Sequence, residues 1–313
     1  MLMNLTVEEI KKITFGAVRI EEHNGELHFF KCTNKQCDVW HNESEALGER
    51  SEFTVGITLD FVTDADEAVF EVCGNKFELL INSNFSKQYV FSDKDFHKIN
   101  ISLNGDKNRV TLVFPSHDRG ILKSVELRGE SFIKPHKFER KILFLGDSIT
   151  QGWNSKYDVM SYAYQVADFF NAERIINGIG GAYYLPESFD LIDFDPDTVV
   201  VAYGTNDPAR YTTINAFKAA VADFLKKVKE TYGEKKLIVV TPIFCFEVLT
   251  SAGGTLQDYK DAIEKIAHEL LFKVVDGYDL VPHDKDFYAD TVHPNDLGFG
   301  IYARKLIFEL GRM

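Results

Sequence analysis

Cysteine is scarce in this chain: four in 313 residues, Cys32, Cys37, Cys73 and Cys245, with no Cys-x-x-Cys pair. That is too few for a disulfide scaffold of this length. Reduced thiols filling space are the expectation, with a Cys32–Cys37 bridge as the alternative. Basic charge is also short: 35 Lys and Arg against 48 Asp and Glu leave a formal net charge of −13. Phosphate backbones are bound by clustered cations, so a nucleic-acid partner is disfavoured, as are anionic membrane surfaces. No apolar run reaches the roughly 18 residues of a membrane span. The N-terminus lacks a basic segment followed by a long apolar one, so no secretory signal is read there. A cytoplasmic protein without cofactor or metal is the expectation. Internal repeats and low-complexity segments are missing too.

What is present divides near residue 135. Before it, Thr6-Val-Glu-Glu9 reads as a capping box opening a short helix to about Ile13. Short, often alternating segments follow, among them Phe53–Phe61, Ala68–Val72, Lys76–Ile81, His97–Leu103 and Arg109–Phe114. Turn signals such as Asn24-Gly25, Gly74-Asn75 and Asn104-Gly105 separate them. Many short strands at close spacing predict an antiparallel sandwich or jelly roll over residues 1–135. Ser131–Arg140, polar and holding Pro135, reads as a linker or a crossing between domains.

From residue 136 to 313 the period changes. Buried-type strands at Ile142–Leu145, Arg174–Ile176, Thr198–Tyr203, Leu237–Thr241 and Phe272–Val275 alternate with helical stretches. The helices are predicted at Tyr162–Phe170, Asn215–Tyr232, Leu256–Leu271 and Asp296–Leu310. Five strands, each followed by a helix, predict an α/β domain: a flavodoxin-like, doubly wound parallel sheet.

Four polar motifs follow predicted strands, hence share one edge of that sheet, where ligands gather in open α/β folds. They are Gly146-Asp147-Ser148, Gly178-Ile-Gly180-Gly181, Gly204-Thr-Asn206-Asp207 and Asp290-Thr-Val-His293-Pro294. Each supplies a part of ester hydrolysis. A serine hydroxyl, here Ser148, is a weak nucleophile until an imidazole takes its proton, and His293 is the candidate base. A carboxylate must hold that imidazole, and Asp290 stands three residues before it, with Asp284 and Asp286 as nearby rivals. The oxyanion needs preorganised donors, and the Ser148 N–H, the Gly181 N–H and the Asn206 amide qualify, with Gly180 an alternative to Gly181. Asp147 and Asp207 are read as acceptors that fix their loops. Trp153, Tyr157, Tyr183 and Tyr184 are expected near the same edge, as pocket wall or as core. His268 and His283 are read as structural.

In order and spacing these four blocks resemble those of the SGNH hydrolases, also called the GDSL lipase/esterase family, over about Lys141 to Met313. The resemblance implies Ser148, Asp290 and His293 as catalytic triad and Ser148, Gly181 and Asn206 as oxyanion hole. Ile149 stands where the short family name has leucine. A β-sandwich ahead of such a domain looks like the two-domain acyl esterases related to carbohydrate esterase family 2. That implies a serine esterase releasing short acyl groups, acetyl foremost, from a small-molecule or oligosaccharide ester. A lipase or thioesterase, and a glycan-binding protein with a vestigial esterase domain, are the alternatives.

Overall fold

The computed structural model describes residues 2–129, 132–247 and 254–311. The chain forms two compact units: Met1–Cys32 with Glu52–Phe138, and Thr33–Ser51 with Glu139–Met313. Among the described residues no helix is long and apolar enough to cross a membrane, and all four cysteines are buried.

The first unit is a sandwich of two antiparallel six-stranded sheets. Strand Ile121–Arg128 alternates buried and more open positions along its length, the pattern of a strand with one face on the core. The inner faces meet in one cluster that includes Phe29, Phe61, Phe70, Phe77 and Phe114. Each such fully buried side chain contributes about 1.5–3 kcal/mol relative to leaving it in water. The capping box forms: Glu9 N–H donates to Thr6 Oγ1, and the Glu9 carboxylate takes the Thr6 N–H at 2.8 Å. The stretch read as a linker begins on Ser131, outside the described residues, and its Ile133–Pro135 portion is instead an edge strand on Thr58–Thr63. Proline is tolerated there because an edge position asks for no ladder donor on its outer side.

The second unit is a parallel five-stranded sheet. Its strands are β1 (Arg140–Gly146), β2 (Ala172–Gly178), β3 (Thr198–Ala202), β4 (Lys236–Val240) and β5 (Lys273–Val275). The order is β2-β1-β3-β4-β5, so β1 is flanked by strands that leave it in opposite directions. That is a topological switch point, and the crevice above it is where such sheets bind ligands. Leu143 and Phe144 of β1 are fully buried, as expected of a strand covered on both faces. The helices are α1 (Asn34–Glu43), α2 (Glu45–Ser51), α3 (Ser148–Gln151), α4 (Tyr162–Phe169), α5 (Ile214–Tyr232), α6 (Leu256–Glu269) and α7 (Asp296–Gly311).

One expectation is corrected. β2 is not followed by an α-helix; its connection to β3 holds only the single 3-10 turn Pro186–Ser188. Helix α1, from far upstream, supplies the missing cover. Gln36 donates to the Ser188 carbonyl at 3.2 Å and accepts from the Asn177 amide at 3.1 Å. Thr33 donates to Asp190 at 2.7 Å. Gln36, Cys37 and Trp40 are buried by this packing.

Candidate active site

Ser148 stands at the first position of α3, directly after β1, because Asp147 ends the strand and caps the helix. Asp147 Oδ1 accepts the Ile149 N–H at 2.9 Å. The Ser148 side chain is thereby raised above the end of the sheet, between the ends of β2 and β3. Its Oγ lies 2.9 Å from His293 Nε2. His293 Nδ1 lies 2.8 Å from Asp290 Oδ2. With the carboxylate ionised Nδ1 must be the donor, which leaves Nε2 to accept the Ser148 hydroxyl.

Asp290 also organises its own loop. Its Oδ1 accepts the N–H groups of Val292 and His293, both at 2.7 Å. Burial works against the charge of Asp290, but the bonds from the His293 backbone and ring and from the Val292 N–H outweigh it and hold the carboxyl below its usual range. The rivals lie elsewhere: Asp284 accepts the Asp286 N–H at 3.0 Å and caps a short turn.

Glycines 180 and 181 part company. The Gly180 N–H is committed to Gln151 Oε1 at 2.7 Å, whereas among the described residues the N–H groups of Gly181 and Ser148 have no acceptor. The Asn206 amide donates to the Ala182 carbonyl at 2.9 Å. An NH2 group carries a second hydrogen, which remains for a ligand. These are the donors an oxyanion requires, two of them backbone groups and so fixed in advance.

Three residues of the site escaped sequence reasoning. Asn154 donates to Asp290 Oδ2 at 2.7 Å, the same oxygen that faces His293. Gln151 holds Gly180, as described. Arg50, on α2, donates from Nη1 to the Gly180 carbonyl at 2.9 Å, with its guanidinium carbon 4.9 Å from the Trp153 ring. Partners this distant in sequence leave no local pattern; only Asn154, a turn-favouring residue shortly after the serine block, could have drawn notice, and the structure finds it left-handed at φ 66°.

The aromatic residues separate. Trp153 is half-buried with its ring 6.3 Å from that of His293. Tyr183 bonds the Glu43 carboxylate and packs edge-on to Trp40. Tyr184 is wholly in the core, against Tyr203 and Phe224. Tyr157 lies 5.1 Å from the Lys156 ammonium. His283 stacks on Phe244 and bonds the Tyr278 carbonyl, while His268 sits near Glu264 on the outside of α6. Asp147 and Asp207 are buried, and burial raises both carboxyls, to about 7 and about 8 respectively.

The GDSL-like Lipase/Acylhydrolase family matches residues 144–301. No curated protein matches the chain in sequence. Among solved structures, a salicylyl-acyltransferase, SsfX3, from a tetracycline biosynthetic pathway is similar with a TM-score of 0.83 at 15% identity, covering 100% of this chain and 97% of that one. A putative GDSL-like lipase from Bacteroides ovatus gives 0.76 at 15%, covering 100% and 98%. A family two carbohydrate esterase from Cellvibrio japonicus gives 0.75 at 17%, also covering 100% and 98%. At such identities the likeness is one of fold.

Proposed function

The chain belongs to the GDSL-like lipase/acylhydrolase family and is a carboxylic ester hydrolase, and from that premise we propose that it removes short acyl groups, acetyl foremost, from a carbohydrate alcohol through an acyl-enzyme on Ser148. The observation that carries the mechanism is the unbroken line from Ser148 Oγ to His293 to Asp290, at 2.9 and 2.8 Å. Ser148 attacks the ester carbonyl as His293 Nε2 takes its proton, and the resulting imidazolium is held by Asp290. The oxyanion forms between the Ser148 and Gly181 N–H groups and the Asn206 amide, each such donor typically supplying about 2.7–4 kcal/mol. His293 then protonates the leaving alcohol. A water, deprotonated by the same imidazole, cleaves the acyl-serine to acid and free enzyme.

The sugar-ester substrate has two supports. The fold is that of a family two carbohydrate esterase. The residues beside the serine are polar as well as aromatic: Arg50, Asn154, Asn206 and Trp153 offer hydrogen bonds and a ring face to a hydroxylated carrier. A second reading has one specific observation behind it: the fold is also that of an acyltransferase, and an acyl-serine can pass its acyl group to an alcohol in place of water.

The test is turnover of p-nitrophenyl acetate and of acetylated sugars, set against longer-chain p-nitrophenyl esters, by wild type and by Ser148→Ala. Release of acetate from the sugars, lost in the variant, is the expected result, with an acetyl group trapped on the Ser148 peptide after a rapid quench. Undiminished hydrolysis by Ser148→Ala would rule the serine out. Preference for long chains would move the substrate to lipids, and acyl transfer to an added alcohol would favour the second reading.

A further inference from the structure

We infer that Arg50 is a positioning residue for the oxyanion site, a latch that keeps the Gly181 N–H turned towards the substrate. The inference rests on the esterase reading above and adds a residue that lies outside the family match.

The donor sits in a turn. Ile179-Gly180-Gly181-Ala182 closes with the Ala182 N–H on the Ile179 carbonyl at 3.0 Å, and Gly181 has φ 86°. A positive φ at the third residue is the mark of a type II turn. Type I and type II turns differ mainly by a half-rotation of the central peptide, here the one joining Gly180 to Gly181. Ordinary side chains would decide between the two by steric strain. Two glycines do not, because glycine accepts either sign of φ at little cost. Something outside the turn must choose.

The central peptide presents two handles, the Gly180 carbonyl and the Gly181 N–H, and in a planar trans peptide they point in opposite directions. Arg50 Nη1 holds the carbonyl at 2.9 Å. While that bond stands, the N–H must face the other way. Gln151 cannot do the same work, since its bond to the Gly180 N–H fixes the preceding peptide and leaves the central one free to turn. The guanidinium is itself wedged in place: a Cβ on Gly180 would lie 2.9 Å from the Trp153 ring and 3.2 Å from Arg50 Cδ, and one on Gly181 would lie 3.2 Å from Arg50 Nη1. If the peptide turned over, the oxyanion would meet a carbonyl oxygen in place of a donor. A charged donor on the carbonyl also polarises the amide and strengthens its N–H as a donor. The bland reading is that Arg50 merely ties α2 to the loop.

The experiment compares Arg50→Met, which keeps the length of the side chain without its donors, with Arg50→Lys, on p-nitrophenyl acetate. Beside the kinetics it measures thermal midpoint, affinity for a small boronic acid that adds to Ser148 as a tetrahedral anion, and the crystal structure of Arg50→Met. The latch predicts that Arg50→Met loses on the order of 10²-fold in kcat, the loss typical of one missing oxyanion donor. It predicts a KM within about twofold, a boronate affinity reduced in step with kcat, partial recovery in Arg50→Lys, and a rotated 180–181 peptide in the crystal. A kcat within about twofold of wild type, or a loss carried by KM and thermal midpoint alone, would overturn it. So would a type II turn retained in the variant. Failure of the esterase reading shows separately, as a wild type that turns over no ester or a Ser148→Ala variant that still does, and the crystal arm reports on the turn in either case.

Discussion

Asp290 holds His293 at two points, taking the ring Nδ1–H on Oδ2 at 2.8 Å and the backbone N–H on Oδ1 at 2.7 Å. The two contacts separate loop geometry from ring chemistry. In Asp290→Asn the amide oxygen can keep both backbone N–H groups, so the loop should stay folded and the thermal midpoint should change little. The NH2 now faces Nδ1, which must become an acceptor, and the proton moves to Nε2. That nitrogen can no longer take the Ser148 proton. A loss of kcat on the order of 10⁴ is expected, the cost of the wrong tautomer at such a site. A variant within tenfold of wild type would remove Asp290 from the mechanism.

Asn154 acts on the same carboxylate, donating to Oδ2 at 2.7 Å from a left-handed turn. Asn154→Gly keeps that backbone conformation at no steric cost and deletes only the donor. A hydrogen bond to a charged group contributes about 1.5–3 kcal/mol, so a fall in kcat/KM of about tenfold is expected even where part of that is recovered by water. Asn154→Asp should be worse at neutral pH, because it sets a second carboxylate against the first. Stopped-flow or steady-state rates across pH would show it: equal activity of the Gly and Asp variants would mean that Asn154 is a turn residue and nothing more.

The parts of the site that follow buried strands were legible in the sequence. The apolar runs 142–145 and 198–203 announce strands covered on both faces, and small polar residues directly after them had to emerge at one edge. Ser148 and Asn206 were placed this way, whereas the Asp290–His293 pair, on a loop well past the end of β5 at Val275, was read from its place shortly before the last helix. Helix α1 was not, since Asn-Lys-Gln-Cys-Asp-Val-Trp-His-Asn-Glu has only a weak apolar stripe and lies among strands. Its capping box, Thr33 to Gln36, was the signal that went unread. Arg50 lay beyond local reasoning altogether: its contact with Gly180 spans 130 residues, and no period in the sequence encodes it.

Asp207 yields a prediction about pH and stability. It is fully buried; Oδ1 accepts the Tyr184 N–H at 3.0 Å, and Oδ2 has no partner among the described residues. Burial raises its carboxyl from 3.8 to about 8. The folded protein therefore binds this proton more tightly than the unfolded chain does. Stability from this group is greatest at low pH and falls as pH rises from the unfolded value through the folded one, opposite to the usual paired aspartate. Asp147, raised to about 7, adds in the same direction. Thermal midpoints should decline between about pH 5 and pH 8, and Asp207→Asn, neutral throughout, should flatten that decline. Parallel curves for wild type and variant would mean that the carboxylate is ionised in the folded state.

Gly178 sets the height of Ser148, the proposed nucleophile. It is the last residue of β2, paired with Gly146 at the end of β1. A Cβ there would lie 2.4 Å from the Gln151 backbone nitrogen and 2.8 Å from its Cα. These are backbone atoms of α3, so no side chain can swing aside, and Gly178→Ala must push the helix that carries Ser148. Overpacking of this kind costs about 1–3 kcal/mol, and a displacement of about 1 Å at the nucleophile can cost 10²-fold in rate. Because the shift also disturbs Gln151, which holds the Gly180 N–H at 2.7 Å, serine and oxyanion site should be misplaced together. The expected variant folds, with a lowered urea midpoint and about 10²-fold lower kcat, and the loss should persist after correction for the folded fraction. Wild-type turnover in a destabilised protein would show instead that α3 slides without carrying Ser148 away from His293.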